Sequence, residues 1–308
     1  MTTASTLRTK RRIEGSALSA LVPVVVLAPF CFLTLVAASY PLGALVSTMG
    51  IESQWWWYPA SWLILGCALF VRPFQIAILS PALSARRPSV RELQRLMPTW
   101  HKITEAAGVD ADRFVLRVLD ADDINAFATG GHLVIVTSYA ARELPERELS
   151  GVLAHELSHH LGLHTVALTF GHWLSLPIVA LARLGFRLQT VASAATSSFA
   201  AHSAALTALG RVIAGLLTVV SWIPLSVVYA SDAIGNLVGH RSEFEADRRV
   251  VQLGFGPQLA AALRRVIADG GGSRAIGWRQ RLAASHPAAR TRIARIEAME
   301  RHPTGRVY

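Results

Sequence analysis

The chain of 308 residues has few charged residues and few cysteines. Asp, Glu, Lys and Arg together make up 16% of it and apolar residues 52%, a composition too apolar for an ordinary soluble enzyme. Its two cysteines, Cys31 and Cys67, both lie inside apolar runs, which excludes a disulfide framework and a CxxC site. A phosphate-binding loop is also excluded, because no strand-to-helix pattern surrounds the three glycines at residues 270–272.

The net charge of +10 would indicate nucleic acid only on a crude interpretation. The basic residues flank apolar runs or lie in a predicted C-terminal helix, where they are Arg290, Arg292, Arg295 and Arg301. Anionic lipid headgroups are the simpler partner for such residues. We therefore predict that the chain contacts a lipid bilayer and does not bind nucleic acid.

Four apolar runs are long enough to suggest membrane helices: residues 17–38, 55–71, 165–182 and 212–230. The first has 22 uncharged residues, and the second opens with three tryptophans and a tyrosine, typical of an interfacial aromatic belt. We predict four membrane helices. In one alternative, the third and fourth runs form a hydrophobic hairpin packed on the rest of the chain. In another, residues 1–38 are a cleavable signal peptide, although their apolar stretch is long for one.

The distribution of positive charge predicts the orientation of these helices. Arg8, Lys10, Arg11 and Arg12 precede the first run, and Arg72, Arg86, Arg87 and Arg91 follow the second. The intervening loop, residues 39–54, carries only Glu52, and residues 188–210 carry no Asp, Glu, Lys or Arg. By the positive-inside rule, the N terminus and the chain from Arg72 onward are cytoplasmic, and these two loops face outward.

The pattern HExxH occurs at residues 155–159 and is typical of zinc peptidases. Residues four apart on an α-helix lie about 40° apart around the axis, so His155 and His159 share one face. Glu156 lies about 60° from His159, close enough to act on a water without binding the metal. Zinc with three protein ligands keeps a position for water, whose proton Glu156 can accept as general base. On this pattern alone, an amphipathic helix with incidental histidines remains an alternative.

Two acidic residues about 85 positions downstream offer further groups for such a site. Glu243 and Asp247 are spaced i, i+4 and would share one face of a helix. Glu243 can then complete a His/His/Glu zinc site, and Asp247 can accept the ring N–H of a liganding histidine. Taken alone, this stretch would more often be an ordinary charged helix face.

The chain resembles the HtpX-like integral-membrane zinc metallopeptidases, a family that includes the CAAX prenyl protease 1 group. Four stretches carry the resemblance in the family's order. They are Asn125-Ala126-Phe127-Ala128-Thr129-Gly130, the HExxH at residues 155–159, the E-x-x-A-D at residues 243–247, and Ser285-His286-Pro287 with Arg292-Ile293 following.

The resemblance implies one Zn²⁺ per chain, held by His155, His159 and Glu243, with Glu156 as the catalytic residue. It also implies that residues 125–130 form an edge strand beside the active-site helix, to which a substrate peptide can add as a further strand. His286 is a candidate for polarising the scissile carbonyl or steadying the site, although a histidine before proline in a loop is more often structural. Independently of the resemblance, the β-branched runs at residues 114–119 and 133–137 predict two strands.

We therefore predict an α+β fold, a gluzincin-like metallopeptidase domain that is mostly helical with a small sheet and is anchored by about four transmembrane helices. The expected parts are a basic cytoplasmic N terminus at 1–16 and a transmembrane hairpin at 17–72. A first catalytic part with the HExxH helix follows at 73–164. A second hairpin at 165–230 and a second catalytic part with the third zinc ligand at 231–308 complete the chain.

The predicted function is that of a zinc endopeptidase in the cell (inner or plasma) membrane, with its site facing the cytoplasm. Thr165 follows His159 by six positions, about 9 Å in a continuous helix, so the site should lie near the membrane surface. Membrane or misfolded proteins are the expected substrates, and protein quality control the expected role. Two alternatives are a catalytically weak or inactive membrane scaffold and the regulatory protease of a sensor-transducer system. The short outward loops weigh against the second alternative.

Overall fold

The computed structural model describes residues 21–162, 164–199, 203–269 and 289–302. Its helices are Val22–Ser47 (α1), Trp57–Ala68 (α2), Arg72–Ala82 (α3, with a π-helical segment at Gln75–Leu79), Val90–Ala106 (α4), Ser138–Glu143 (α5), Glu146–Leu161 (α6), His164–Phe199 (α7), Ala204–Gln252 (α8), Gly256–Ala268 (α9) and Ala289–Arg301 (α10). Its strands are Ala85–Arg86 (β1), Val115–Leu119 (β2), Ala126–Thr129 (β3) and Leu133–Thr137 (β4).

The described chain divides into two compact units. The sheet unit comprises Cys67–Thr169 and the described residues from Asn236 onward. The helical unit comprises Leu21–Gly66 and Phe170–Gly235. All four strands, and all the described residues of the predicted metal site, belong to the sheet unit.

The sheet has the strand order β1-β2-β4-β3. Strands β2 and β4 run parallel, with Val115 opposite Leu133, and the other pairs are antiparallel. All five residues of β4 are buried, as expected for a β-branched strand with neighbours on both sides and cover on both faces. The two strands predicted from β-branched runs are confirmed, and β3 is the edge strand beyond β4.

Helix α6, which carries the HExxH pattern, runs through the core of the sheet unit. Its residues Leu149, Leu153 and Leu157 recur at helical spacing and are fully buried. On another side, Gly151 lies so close to α9 that a Cβ atom there would collide with the backbone of Gln258 and Leu259. Close packing against the core and against α9 therefore determines where the HExxH pattern lies.

Three helices in the described chain are long and apolar enough to cross a membrane: Val22–Ser47, Thr165–Ser198 and Ala204–Ile234. A fourth crossing is present if α2 and α3, which are separated by a sharp bend, count as one broken span. Helix α2 itself has only 12 residues, fewer than the 17 of the predicted second run. The predicted fold class, a mostly helical α+β protein with a small sheet and about four membrane helices, is confirmed.

Two segments predicted as outward loops are largely helical. Most of residues 188–210 belongs to α7, which continues to Phe199, and to α8, which begins at Ala204. Helix α1 likewise continues to Ser47, well into the predicted loop at 39–54. Alanine has the highest intrinsic helix propensity, so most of the uncharged, alanine-rich residues 188–210 extend the neighbouring helices instead of ending them.

Helix α6 does not continue into α7, contrary to the assumption behind the 9 Å estimate. It ends at Leu161, and the amide N–H groups near its end are bonded within the last turn, including Gly162 N–H to the Ser158 carbonyl at 3.2 Å. Helix α7 begins at His164. His159 and Thr165 are still only six positions apart in the sequence. Because the helix is interrupted between them, this separation does not give a distance of about 9 Å in space.

Replacing Gly151 by alanine should destabilise the protein by about 1–3 kcal/mol, because the added methyl group forces apart two closely packed backbones. Thermal unfolding in detergent measures this effect. The matched control is Gly215→Ala, at a helical glycine whose added Cβ would meet nothing within 4 Å. This control should be neutral or slightly stabilising, since alanine is the better helix former. Equal unfolding temperatures for the wild type and Gly151→Ala would contradict the close packing of α6 on α9.

Candidate metal centre

Helix α6 presents both histidines of the HExxH pattern toward one point. The Nε2 atoms of His155 and His159 lie 3.1 Å apart, and their rings meet edge to face. Glu156, the intervening acidic residue, is 4% exposed, while the two histidines are 3% and 9% exposed. The i, i+4 spacing thus places two imidazole nitrogens together in a buried setting, as the helical geometry predicts.

Helix α8 brings Glu243 to the same point. Its Oε2 lies 3.2 Å from His155 Nε2, and its Oε1 lies 3.1 Å from His159 Nε2. Ligand atoms of these three residues all lie within 4.8 Å of one another. Ligands about 2.0–2.1 Å from a tetrahedral zinc ion are about 3.3 Å apart, so two imidazoles and one carboxylate at these separations fit Zn²⁺.

Asp247 lies one helical turn beyond Glu243 on α8 and contacts the far side of an imidazole. Its Oδ1 is 3.2 Å from Nδ1 of His155, and the residue is 1% exposed. A carboxylate in this position fixes the tautomer and the ring orientation of a liganding histidine, so that Nε2 is left for the metal. The structure thus brings Asp247 to the ring nitrogen for which the spacing predicted it.

Arg292 on α10 also belongs to this site, although its sequence context predicted a contact with lipid headgroups. Its guanidinium group donates to both oxygens of Asp247, from Nε at 2.9 Å and from Nη2 at 2.7 Å. Its Nη1 lies 3.3 Å from Oε2 of Glu243. With 4% exposure, Arg292 is too buried to contact lipid headgroups, so that prediction is wrong for this residue. The signal that could have identified it was its place in the last stretch of the family resemblance.

The charges of the site shift the pKa values of several of its groups, including His155 and Asp247. Burial and the charge of Arg292 each lower the pKa of His155, but the carboxylates of Asp247 and Glu243 raise it by more, to about 9. Burial raises the pKa of Asp247, whereas the hydrogen bond to His155 and the charge of Arg292 lower it to about 2. A metal ion that binds His155 has to displace its proton, so metal affinity depends on pH.

The next histidine along α6 has a structural position. His160 is 1% exposed, its Nε2 lies 2.9 Å from the carbonyl oxygen of Leu133, and its ring packs against Phe114. It therefore joins α6 to the sheet and does not point toward His155 and His159. Of the other predicted site residues, His286 lies outside the described residues.

The segment at residues 125–130 lies where the resemblance implied, at the edge of the sheet. Strand β3 pairs with β4 on one side, and no other strand of the described chain pairs with it. It also packs against α6. An edge strand beside the HExxH helix offers unpaired backbone groups to an extended peptide.

Comparison with known proteins identifies the family of the chain. The profile of Peptidase family M48 matches residues 90–300, which include every residue of the candidate centre and the edge strand. The chain therefore belongs to Peptidase family M48. The predicted HtpX-like relationship is confirmed.

Several relatives are named HtpX proteases. The chain is 30% identical over 195 residues to "Protease HtpX homolog 1" of Streptomyces coelicolor, covering 61% of this chain and 59% of that protein. It is 32% identical over 177 residues to a homologue from Acidiphilium cryptum, covering 56% and 55%. It is 26% identical over 244 residues to "Protease HtpX" of Nitrosococcus oceani, covering 75% and 80%. The match thus spans little more than half the length of the first two relatives.

One solved structure that aligns with the chain is that of S. mikatae Ste24p. The alignment covers 89% of this chain and 67% of that one, with a TM-score of 0.47 and 17% sequence identity.

Replacing Asp247 by asparagine should lower zinc affinity by about 10–100-fold, because the neutral amide no longer holds the His155 ring through a charge-assisted hydrogen bond. Competition with a chromogenic chelator measures the affinity in mild detergent. The matched control is Asp120→Asn, since Asp120 pairs with Arg86 at the surface, away from the candidate centre. Equal zinc affinity in both variants would remove Asp247 from the metal site.

Proposed function

We propose that the protein is a membrane-bound, zinc-dependent endopeptidase with one Zn²⁺ per chain, held by His155, His159 and Glu243. The observation that carries this proposal is the convergence of these three side chains from two helices, with Glu156 on the same helix as the histidines. Three ligands of the types His, His and Glu leave a coordination position for water, as in catalytic zinc sites. Membership of Peptidase family M48 supports the same activity.

Zinc held by His155, His159 and Glu243 would supply Lewis acidity that makes the attacking water more acidic. Glu156 accepts a proton from the attacking water and returns it to the amine that leaves when the peptide bond breaks. Asp247 holds the His155 ring in position, and Arg292 holds Asp247. The near-complete burial of these groups strengthens their electrostatic interactions and makes their positions precise.

Substrate recognition is assigned to β3. An extended peptide that pairs with this edge gains main-chain hydrogen bonds, which depend little on its side chains. Residues 125–130, from Asn125 to Gly130, would then select for an accessible extended segment more than for a particular sequence. Misfolded or locally unfolded proteins present such segments, which supports a role in protein quality control.

The proposed setting is the cell membrane, with the centre on the cytoplasmic side. Support comes from the basic residues before α1 and after α2, compared with a single acidic residue in the loop between them. Only six positions separate His159 from Thr165, where a candidate span begins. We infer that the substrates are membrane proteins or their cytoplasmic segments. The five parts predicted from the sequence, with boundaries at 16, 72, 164 and 230, belong to this proposal.

Two other functions are less well supported. An inactive scaffold does not require a buried carboxylate next to a metal-binding histidine, yet Glu156 directly follows His155 on α6 and is 4% exposed. A sensor-transducer would need an outward domain for its signal, but α7 and α8 are separated only by residues 200–203. The peptidase accounts for more of the structure than either alternative.

Replacing Glu156 by glutamine should leave zinc content and fold unchanged while cleavage of casein falls by about 100-fold or more, because an amide cannot accept the proton of water. Zinc analysis and a gel-based cleavage assay on the same preparation measure both effects. The control is Glu148→Gln, at a carboxylate on the same helix that pairs with Arg265 instead. If wild-type protein with full zinc cleaved neither casein nor any unfolded or membrane protein, the scaffold would be favoured.

The topology predicts the labelling of introduced cysteines by an impermeant thiol reagent. Ser47→Cys and Ser197→Cys should react in intact cells, since both positions are expected outside, whereas Ser89→Cys should react only after lysis. Labelling at Ser47 with protection at Ser197 would indicate that the third and fourth apolar segments do not cross the membrane. Reaction at Ser89 in intact cells would contradict the cytoplasmic site.

A further inference from the structure

The hydrogen-bonding pattern of β3 determines which of its peptide groups face the free edge. The Thr137 N–H donates to the Asn125 carbonyl over 3.0 Å, so these two residues form a hydrogen-bonded pair. In an antiparallel pair, such residues alternate with residues whose N–H and C=O groups point away from the partner strand. Ala126 and Ala128 therefore direct their peptide groups to the side of β3 away from β4.

Gly130 follows the strand and is the next residue in this alternation, but both of its peptide groups already have partners. Its N–H donates to Oγ1 of Thr169 over 3.0 Å. Its carbonyl oxygen accepts a hydrogen bond from Nε2 of Gln75. In the part of the chain that the structure describes, no strand pairs with the outer side of β3 at Ala126, which is buried, or at the half-buried Ala128. At Gly130 both peptide groups are already bonded.

The Gln75 side chain packs tightly against the backbone of Gly130. Gln75 is 0% exposed and begins the π-helical segment of α3, a local distortion that is frequent at functional sites. Its Oε1 is buried with no hydrogen-bond partner among the described residues. Burying this oxygen without a partner costs free energy, which the other contacts of the side chain have to offset. Gly130 has a φ of 65°, and a Cβ there would lie 2.8 Å from Cδ of Gln75. Glycine at this position allows the carboxamide to approach the backbone.

The Thr169 side is equally constrained. The Thr169 hydroxyl donates to the Thr165 carbonyl over 2.7 Å, so its oxygen is oriented to accept the Gly130 N–H. The hydroxyl of Thr129 lies 3.3 Å from the same oxygen. The closure therefore joins the end of β3 to the first turns of α7 and to α3.

We propose that Gln75 and Thr169 are positioning residues that close the substrate-pairing edge of β3 at Gly130 and so set the register of a bound peptide. This role rests on the proposed peptidase function. A peptide strand that extended past Ala128 would find the next pair of backbone groups taken. Registers that require pairing at Gly130 are therefore disfavoured, and the bond presented to the metal centre is restricted.

The two-residue repeat of a β-strand predicts a specific change in the cleavage products. Outward-facing peptide groups recur at every second residue, so neighbouring registers of a paired substrate differ by two residues. Opening the closure should therefore produce new cleavage sites two residues from the original ones. A general loosening of the site would instead change the rate without such a shift.

The experiment uses the full-length zinc-loaded protein in mild detergent with unfolded β-casein, whose products are mapped by mass spectrometry. Thr169→Val keeps the side-chain shape but removes the acceptor, and Gln75→Met keeps approximate length but removes the donor. In each variant, the share of products displaced by two residues should rise about 2–10-fold, the discrimination expected from one hydrogen bond. The matched control Thr169→Ser keeps the hydroxyl and should keep the wild-type pattern.

Cleavage of the same bonds in the same proportions by both variants would overturn the proposal, whatever the change in rate. Loss of fold or of zinc in both variants would also overturn it, since the contacts would then be needed for stability. If one variant fails to fold, the product map of the other decides. A wild-type protein that cleaves nothing would contradict the peptidase function itself, so the two failures are distinguishable.

Discussion

The buried carboxylate of Glu243 on α8 contacts the imidazoles of His155 and His159 on α6. The other polar contacts of the centre depend on this arrangement. Removing charged groups from water is costly unless each has a partner of opposite charge or a metal. Glu243 meets this requirement through Arg292, and Asp247 meets it through His155 and Arg292. Three helices that are distant in sequence are thus held at one point by mutually dependent contacts.

Local patterns in the sequence were sufficient to predict the parts of this centre that share a helix. His155, Glu156 and His159 have their relative positions set by helical geometry, and so do Glu243 and Asp247. The long-range pairing of the two groups was inferred from family resemblance, because spacing along one helix contains no information about another. The bidentate contact of Arg292 was missed because its surrounding sequence is that of an ordinary basic helix, and only the family resemblance offered a signal for it.

Strands β2 and β4 were predictable because runs of β-branched residues indicate buried strands directly. The helical extensions into residues 188–210 were not predicted, since small uncharged residues were taken as a loop. The role of Gln75 also had no local signal. It depends on the positive φ of Gly130 and on a π-helical distortion, both of which result from tertiary packing.

The centre and the edge strand divide the proposed chemistry between them. The metal ligands and Glu156 act on whichever peptide bond reaches them, while β3 and its closure at Gly130 restrict which bond that is. A sequence-tolerant peptidase in a membrane needs both properties, since it has to accept varied chains and still cleave at a defined place.

X-ray absorption at the zinc edge tests the central claim most directly, because it reports the atoms bound to the metal. The account predicts one zinc per chain with nitrogen and oxygen ligands only, at about 2.0–2.1 Å. It predicts two imidazoles in the wild type and one fewer carboxylate ligand in Glu243→Ala. A sulfur ligand at about 2.3 Å, or an unchanged spectrum with full zinc in Glu243→Ala, would contradict it.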